Sequence, residues 1–166
     1  EEAANPVSVK SRTGYTISVA GCFILCKLQL QSTVALSTSE AEYAALSQAM
    51  RALLPLRATW LEMLTNVEVV DNSNSFGALA RNELLTFATT VFEDNATALA
   101  LAQKQRITSR TKHWAIKWHF FWSHVNDPSN NIVCEKIDTK EQRADYLTKG
   151  LTQELFENCR QLNQGW

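Results

Sequence analysis

Three acidic residues in this chain stand where hard-oxygen chemistry could be done. Glu42 opens a helical stretch, Asp94 closes a β-branched and aromatic run, and Asp145 lies beside Ala144 in a short late helix. Carboxylates are hard ligands suited to Mg2+. Several converging at a sheet edge could hold two ions roughly 3.5–4 Å apart, a pair that stabilises the attacking and leaving oxygens of a phosphodiester displacement. Each acid also has a plain structural role open to it. Glu42 in a first turn suits the helix dipole, and Asp94 or Asn95 can cap the helix that follows. Three acids among seventeen can be chosen in many ways. Spacing alone does not decide.

Other chemistry-bearing residues are weaker. His113, His119 and His124 lack the i, i+4 spacing of a helical zinc pair, so each reads as structural or solvent-facing. Trp114, Trp118, Phe121 and Trp122 could stack on bases, but at helical spacing they read first as core. Lys104, Arg106, Arg110, Lys112 and Lys117 occupy a stretch without Asp or Glu, in a chain of formal net charge −1. That asymmetry suits phosphate contacts or a solvated helix end, and both stay open. The four cysteines, Cys22, Cys26, Cys134 and Cys159, show no metal-site spacing and read as small buried hydrophobes in a reducing compartment. A Cys22–Cys26 bridge is disfavoured, since residues four apart along a strand are roughly 13 Å distant.

The elements that must position these residues follow from periodicity. With 166 residues, 45% hydrophobic and 20% charged, the chain has the make-up of one ordinary soluble globular domain. Its apolar runs are far too short for a membrane span, and no signal segment is visible. Residues 1–9 read as a leader or loop, and Lys10–Gly14 as a polar turn. Tyr15, Ile17 and Val19 alternate with Thr16, Ser18 and Ala20, a strand that stops at Gly21. It should pair as a hairpin with a strand from Phe23 to Leu36, whose Leu28, Leu30, Val34 and Leu36 mark one buried face. At Ser37 the period changes. Ser37-Thr38-Ser39-Glu40 fits a capping box, and Leu46, Met50, Leu53, Leu56, Trp60 and Leu64 recur at helical spacing. That helix, Ser39 to Leu64, contains Pro55, which must kink or break it.

Further on, residues 65–85 read as an irregular excursion and Phe87–Phe92 as a buried strand. Ala96–Gln103 reads as a small-residue helix, 104–112 as a basic loop and His113–Val125 as a helix with an aromatic face. A strand over Asn131–Ile137 and a short helix over Lys140–Thr148 follow, and Leu155, Phe156, Cys159 and Leu162 share the face of a last amphipathic helix. Strand, then Asp94, then helix puts a carboxylate at a strand's carboxyl end, where ligands of open α/β sheets gather.

Four segments together resemble the ribonuclease H domain of Ty1/copia-type (Pseudoviridae) LTR retrotransposon Pol polyproteins. They are KSRTGYTISVAGC (10–22), LQSTVALSTSEAEYAALSQAMR (30–51), VFEDNATALALA (91–102) with SRTKH (109–113), and EQRADYLTKGL (141–151), in the family's order. The resemblance implies a single domain over 1–166 with the α/β RNase H-like fold, a mixed central sheet of five strands flanked by helices. It implies catalytic, metal-binding acids at Glu42, Asp94 and Asp145, and two Mg2+ (or Mn2+) ions. Thr38, Ser39, Asn95, Arg110, Thr111, Lys112 and His113 are the implied nucleic-acid contacts. The implied partners are an RNA–DNA hybrid and the reverse transcriptase domain upstream in the same polyprotein, with no membrane. The implied location is a cytoplasmic virus-like particle.

The chain departs from the family at three places. The family's first catalytic Asp lies on a strand upstream of KSRTGY, and residues 1–9 offer Glu1 and Glu2 but no Asp, so the chain is expected to lack that strand. Cys26 stands where a tryptophan is usual, and Gly150 where a proline is usual. Two readings result: hydrolysis of the RNA strand of hybrids during reverse transcription, or a catalytically incomplete module that keeps the fold and at most binds nucleic acid. Integrase and transposase relatives of the fold run Asp, Asp, Glu along the chain, against Glu42, Asp94, Asp145 here. The shared prediction for an intact site is convergence of the three carboxylates within roughly 4–8 Å.

Overall fold

The computed structural model describes residues 10–66, 88–103 and 115–165. Alternating polar and apolar residues give strand β1, Arg12–Val19, with Thr13, Tyr15 and Ile17 buried on one face. Ala20 (φ 50°) and Gly21 (φ 81°) make the turn, the two positive φ values that a tight two-residue hairpin loop needs. Strand β2, Cys22–Leu30, returns antiparallel, with a bulge between Ile17 and Ser18.

β2 ends at Leu30, short of the Leu36 that alternation suggested. Gln31 is the cause. Its backbone N–H donates to Ser11 O at 2.8 Å, while its buried amide donates to Thr13 Oγ1 at 3.2 Å and Ala41 O at 2.9 Å. One polar side chain thus ties the end of the hairpin to the next helix, and residues 32–37 bend instead of pairing. Leu28, Leu30 and Val34 are exposed, and Leu36 is 80% exposed, so their alternation marks no buried face.

Helix α1 runs from Thr38 to Asn66. Half of the capping box forms as expected, Glu40 N–H donating to Ser37 Oγ at 3.1 Å; the Glu40 carboxylate instead accepts from Leu36 N–H at 2.8 Å, one residue before the cap. Pro55 does not break the helix; a proline removes one N–H, and Thr59 Oγ1 donates to Pro55 O at 3.0 Å a turn further on. The excursion expected over 65–85 falls outside the described residues except at 65 and 66, which continue α1. The basic loop of 104–112 also lies outside them.

Strand β3, Thr89–Glu93, leads into helix α2, Ala96–Gln103, and helix α3, Ala115–Val125, precedes strand β4, Ile132–Lys136. β3 and β4 pair in parallel, Val91 opposite Cys134. Their inner face and the helices make the core of Tyr43, Leu46, Met50, Ala98, Ala102, Phe121, Ile132 and Cys134. Phe121 meets Tyr43 edge to face at 5.5 Å between ring centres, so at least this aromatic of α3 is core. His124 Nδ1 lies 2.7 Å from Phe120 O, a helix-internal contact.

The expected helix over Lys140–Thr148 divides into a 3-10 turn, Thr139–Glu141, and a short helix α4, Asp145–Thr148. Helix α5, Gln153–Gln164, buries Cys159 and Asn163, whereas Leu155, Phe156 and Leu162 stay exposed. All four cysteines are free. Cys134 and Cys159 are buried as expected, but Cys22 and Cys26 are exposed on the outer strand of the hairpin. The architecture is mixed α/β. Its four described strands form two separate ribbons, β1–β2 and β3–β4, where one continuous sheet was expected.

Candidate active site

Three elements deliver the acids to one place. Glu42 sits just past the first turn of α1, one residue deeper than expected, because the helix begins at Thr38 instead of Ser39. Asp94 follows the last residue of β3. It is free of capping duty, since Asn95 Oδ1 accepts from Thr97 N (3.0 Å) and Ala98 N (3.1 Å). Asp145 is the buried first residue of α4. All three line one cleft between β1, α1 and β3.

A lysine sits among them. Lys149 Nζ lies 2.8 Å from Asp145 Oδ2 and 3.7 Å from Asp94 Oδ2. One ammonium thus bridges the two carboxylates. Burial raises the Glu42 pKa above the ordinary carboxylate range; the Asp94 and Asp145 charges add to this, and Lys149 opposes it. Burial also raises Asp145, against the bond from Lys149. Burial works against the Lys149 ammonium, yet its bond to Asp145 and the charges of Asp94 and Glu42 outweigh that and raise its pKa.

In kind, these donors fit a hard divalent ion. In placement, they are spread about an ammonium: among the described residues, no three His, Cys, Asp or Glu side chains are gathered as a metal would gather them. Thr38 and Ser39 are in the first turn of α1, exposed and half-buried, one turn before Glu42. The carbonyl of Asn95 is committed to the α2 cap. Arg110, Thr111, Lys112 and His113 lie outside the described residues.

No family model matches the chain, and no solved structure matches it. Sequence comparison is informative. Over 153 residues, 92% of this chain, it is 31% identical to the retrovirus-related Pol polyprotein from transposon TNT 1-94 of Nicotiana tabacum. Over 74 residues it is 35% identical to the retrovirus-related Pol polyprotein from transposon RE1 of Arabidopsis thaliana. These homologues are copia-like transposon Pol polyproteins. The chain spans 10% of the first and 5% of the second. Among the described residues no helix is long and apolar enough to cross a membrane.

Two residues of this Pol-related chain belong to the site although the sequence did not single them out. Glu93 is 4% exposed, and burial lifts its pKa to about 7, with Glu42 and Asp94 adding and the bond from Asn95 N opposing. The signal was period two: Thr89, Val91 and Glu93 share the inner face of β3 while Phe92 points outward. Lys149 is the other. Its only trace in sequence is the i, i+4 spacing from Asp145 on a helix four residues long.

Proposed function

We propose that this chain is the ribonuclease H-type domain of a copia-like Pol polyprotein, with the RNase H-like fold, and that it hydrolyses the RNA strand of RNA–DNA hybrids. The observation that supports the reading is that Glu42, Asp94 and Asp145, far apart in the chain, line one cleft. Hard-oxygen donors in a half-buried site suit phosphodiester chemistry. Two Mg2+ or Mn2+ ions are the cofactors of this donor set, and when bound they supply the positive charge that stabilises attacking and leaving oxygens. The chain's own residues do the rest. Glu42, Asp94 and Asp145 hold that charge, and Lys149 turns outward from them. Thr38 and Ser39, at the exposed start of α1, face the hybrid. With Asn95 and the 110–113 segment they read backbone and 2′-hydroxyls by shape instead of sequence. The upstream reverse transcriptase domain supplies the hybrid, inside a cytoplasmic particle.

A specific observation favours a second reading. With no three donors drawn together among the described residues and Lys149 between Asp94 and Asp145, the chain by itself is a catalytically incomplete module that binds hybrid without cutting it. One assay separates the two. End-labelled RNA–DNA hybrid is incubated with Mg2+ or Mn2+ and the domain joined to the polyprotein preceding it. The ribonuclease reading expects RNA-strand cleavage that falls at least a hundredfold in Asp94→Asn and Asp145→Asn, with hybrid binding retained. Binding without cleavage, in the joined protein as in the chain alone, overturns it in favour of the incomplete module.

A further inference from the structure

The Asp94 side chain has little of its own to hold it. Among the described residues its one cationic partner is the Lys149 ammonium at 3.7 Å, beyond the reach of a good hydrogen bond. It also leaves the capping of α2 to Asn95. The residues on either side of it are fixed instead. The Glu93 carbonyl accepts from Ile137 N–H at 3.2 Å, just past the end of β4. The Glu93 side chain reaches forward two residues, and its Oε1 accepts from Asn95 N–H at 3.0 Å. Asn95 is bound in turn to α2, its Oδ1 accepting from Thr97 N and Ala98 N and its carbonyl from Leu99 N at 2.9 Å. The bond from Asn95 to Glu93 thus closes a ring of chain around Asp94, tied to β4 on one side and to α2 on the other.

We propose that Glu93 is a positioning residue of the candidate active site: by accepting from Asn95 N–H, its side-chain oxygen fixes the turn that presents the Asp94 carboxylate to the cleft. What Asp94 does there rests on the ribonuclease reading; how Asp94 is held rests on the hydrogen bond. An acid is a costly choice for a side chain only 4% exposed. Such acids are ordinarily paired, yet among the described residues no Lys or Arg forms an ion pair with Glu93; the cation of the site goes to Asp94 and Asp145. The side chain's one hydrogen bond is the one that closes the turn. The turn needs an accepting oxygen in that place and makes no use of charge, so glutamine serves and a hydrocarbon of similar size does not. A residue that holds an ion-binding side chain in place matters to ion affinity nearly as much as the side chain itself.

Two variants of the chain test this, Glu93→Leu and Glu93→Gln. In chelator, Glu93→Leu is expected to speed amide exchange at Asn95 by roughly tenfold, as a local opening would, and to make Asp94 mobile in 15N relaxation. Its Mn2+ affinity, read from the EPR signal of the free ion, falls by roughly 10–100-fold. Because the same change removes a buried acid, its resistance to urea at pH 8 is no lower than the parent's. Glu93→Gln restores the parent's amide exchange, rigidity and Mn2+ affinity. Three results overturn the proposal. Asp94 as rigid in Glu93→Leu as in the parent would show that the bond does not hold it. Mn2+ affinity lost equally in both variants would make the charge of Glu93 the active feature, as in a direct ligand. Resistance to urea falling along with affinity in Glu93→Leu would make the residue a general support of the fold. A parent chain that binds no Mn2+ sinks the ribonuclease reading instead, and the metal-free exchange and relaxation then decide the role of Glu93.

Discussion

At Glu93 a carboxyl group is held in the protonation state that water would not choose. Its folded pKa of about 7 lies above the ordinary 4.5, so the folded state binds this proton more tightly than the unfolded one. The group costs nothing at pH below the unfolded value, and its burden grows as pH rises from 4.5 to about 7 and then levels off. At about 1.4 kcal/mol per pH unit the full cost is on the order of 3 kcal/mol. Glu93→Gln keeps the oxygen that accepts from Asn95 N and removes the proton. Urea unfolding should show the variant gaining stability over the parent across that window and holding the gain at pH 8; a difference that does not change with pH contradicts the assignment. Lys149 is the complementary case. Lys149→Gln leaves Asp94 and Asp145 without their cation, at a cost of about 1 kcal/mol for so exposed a lysine. The variant should melt lower than the parent in chelator and rise further than the parent on adding Mg2+. An equal Mg2+ response in both would mean that the ammonium does not occupy the cation's place. Neither residue was legible in advance. An acid after a strand is visible in sequence, but burial and a lysine folded back over its own helix are tertiary facts.

Elements show why some of the fold was legible and some was not. The hairpin and the start of α1 rest on local chemistry, two positive-φ turn residues and the Ser37 cap on Glu40 N–H, and appear where the sequence places them. The end of β2 rests on Gln31 reaching across to Thr13 and Ala41; a long-range bond leaves no periodicity, and the Leu28–Leu36 alternation misled. β1 is held close to α4 by the absence of a side chain at Gly14. A Cβ there would collide with Thr148 Cγ2 and lie 3.2 Å from Leu147 Cβ. Gly14→Ala should cost about 1–3 kcal/mol by overpacking and push α4, with Asp145, away from Asp94. Adding Thr148→Ser, which deletes the nearest methyl, should restore part of the loss in thermal unfolding. A Gly14→Ala protein as stable as the parent would show that the strand and helix are not pressed together.

For the molecule as a whole, the order of Glu42, Asp94 and Asp145 was legible in the chain, and their place on one cleft was expected from the resemblance and from no local pattern. It depends on α1 packing on β1 and on α4 packing on the same strand, relations that no window of sequence contains. The proposed ribonuclease function requires that the three carboxylates share one cation site. Titrating the isotope-labelled chain with Mn2+ and reading paramagnetic line broadening tests it most directly, because it needs neither substrate nor turnover. Signals of Glu42, Asp94, Asp145 and Lys149 should broaden together at the lowest Mn2+ levels and recover on chelation. Broadening that begins at exposed acids such as Glu154 and Glu157, or that strikes one of the three and spares the others, would contradict it.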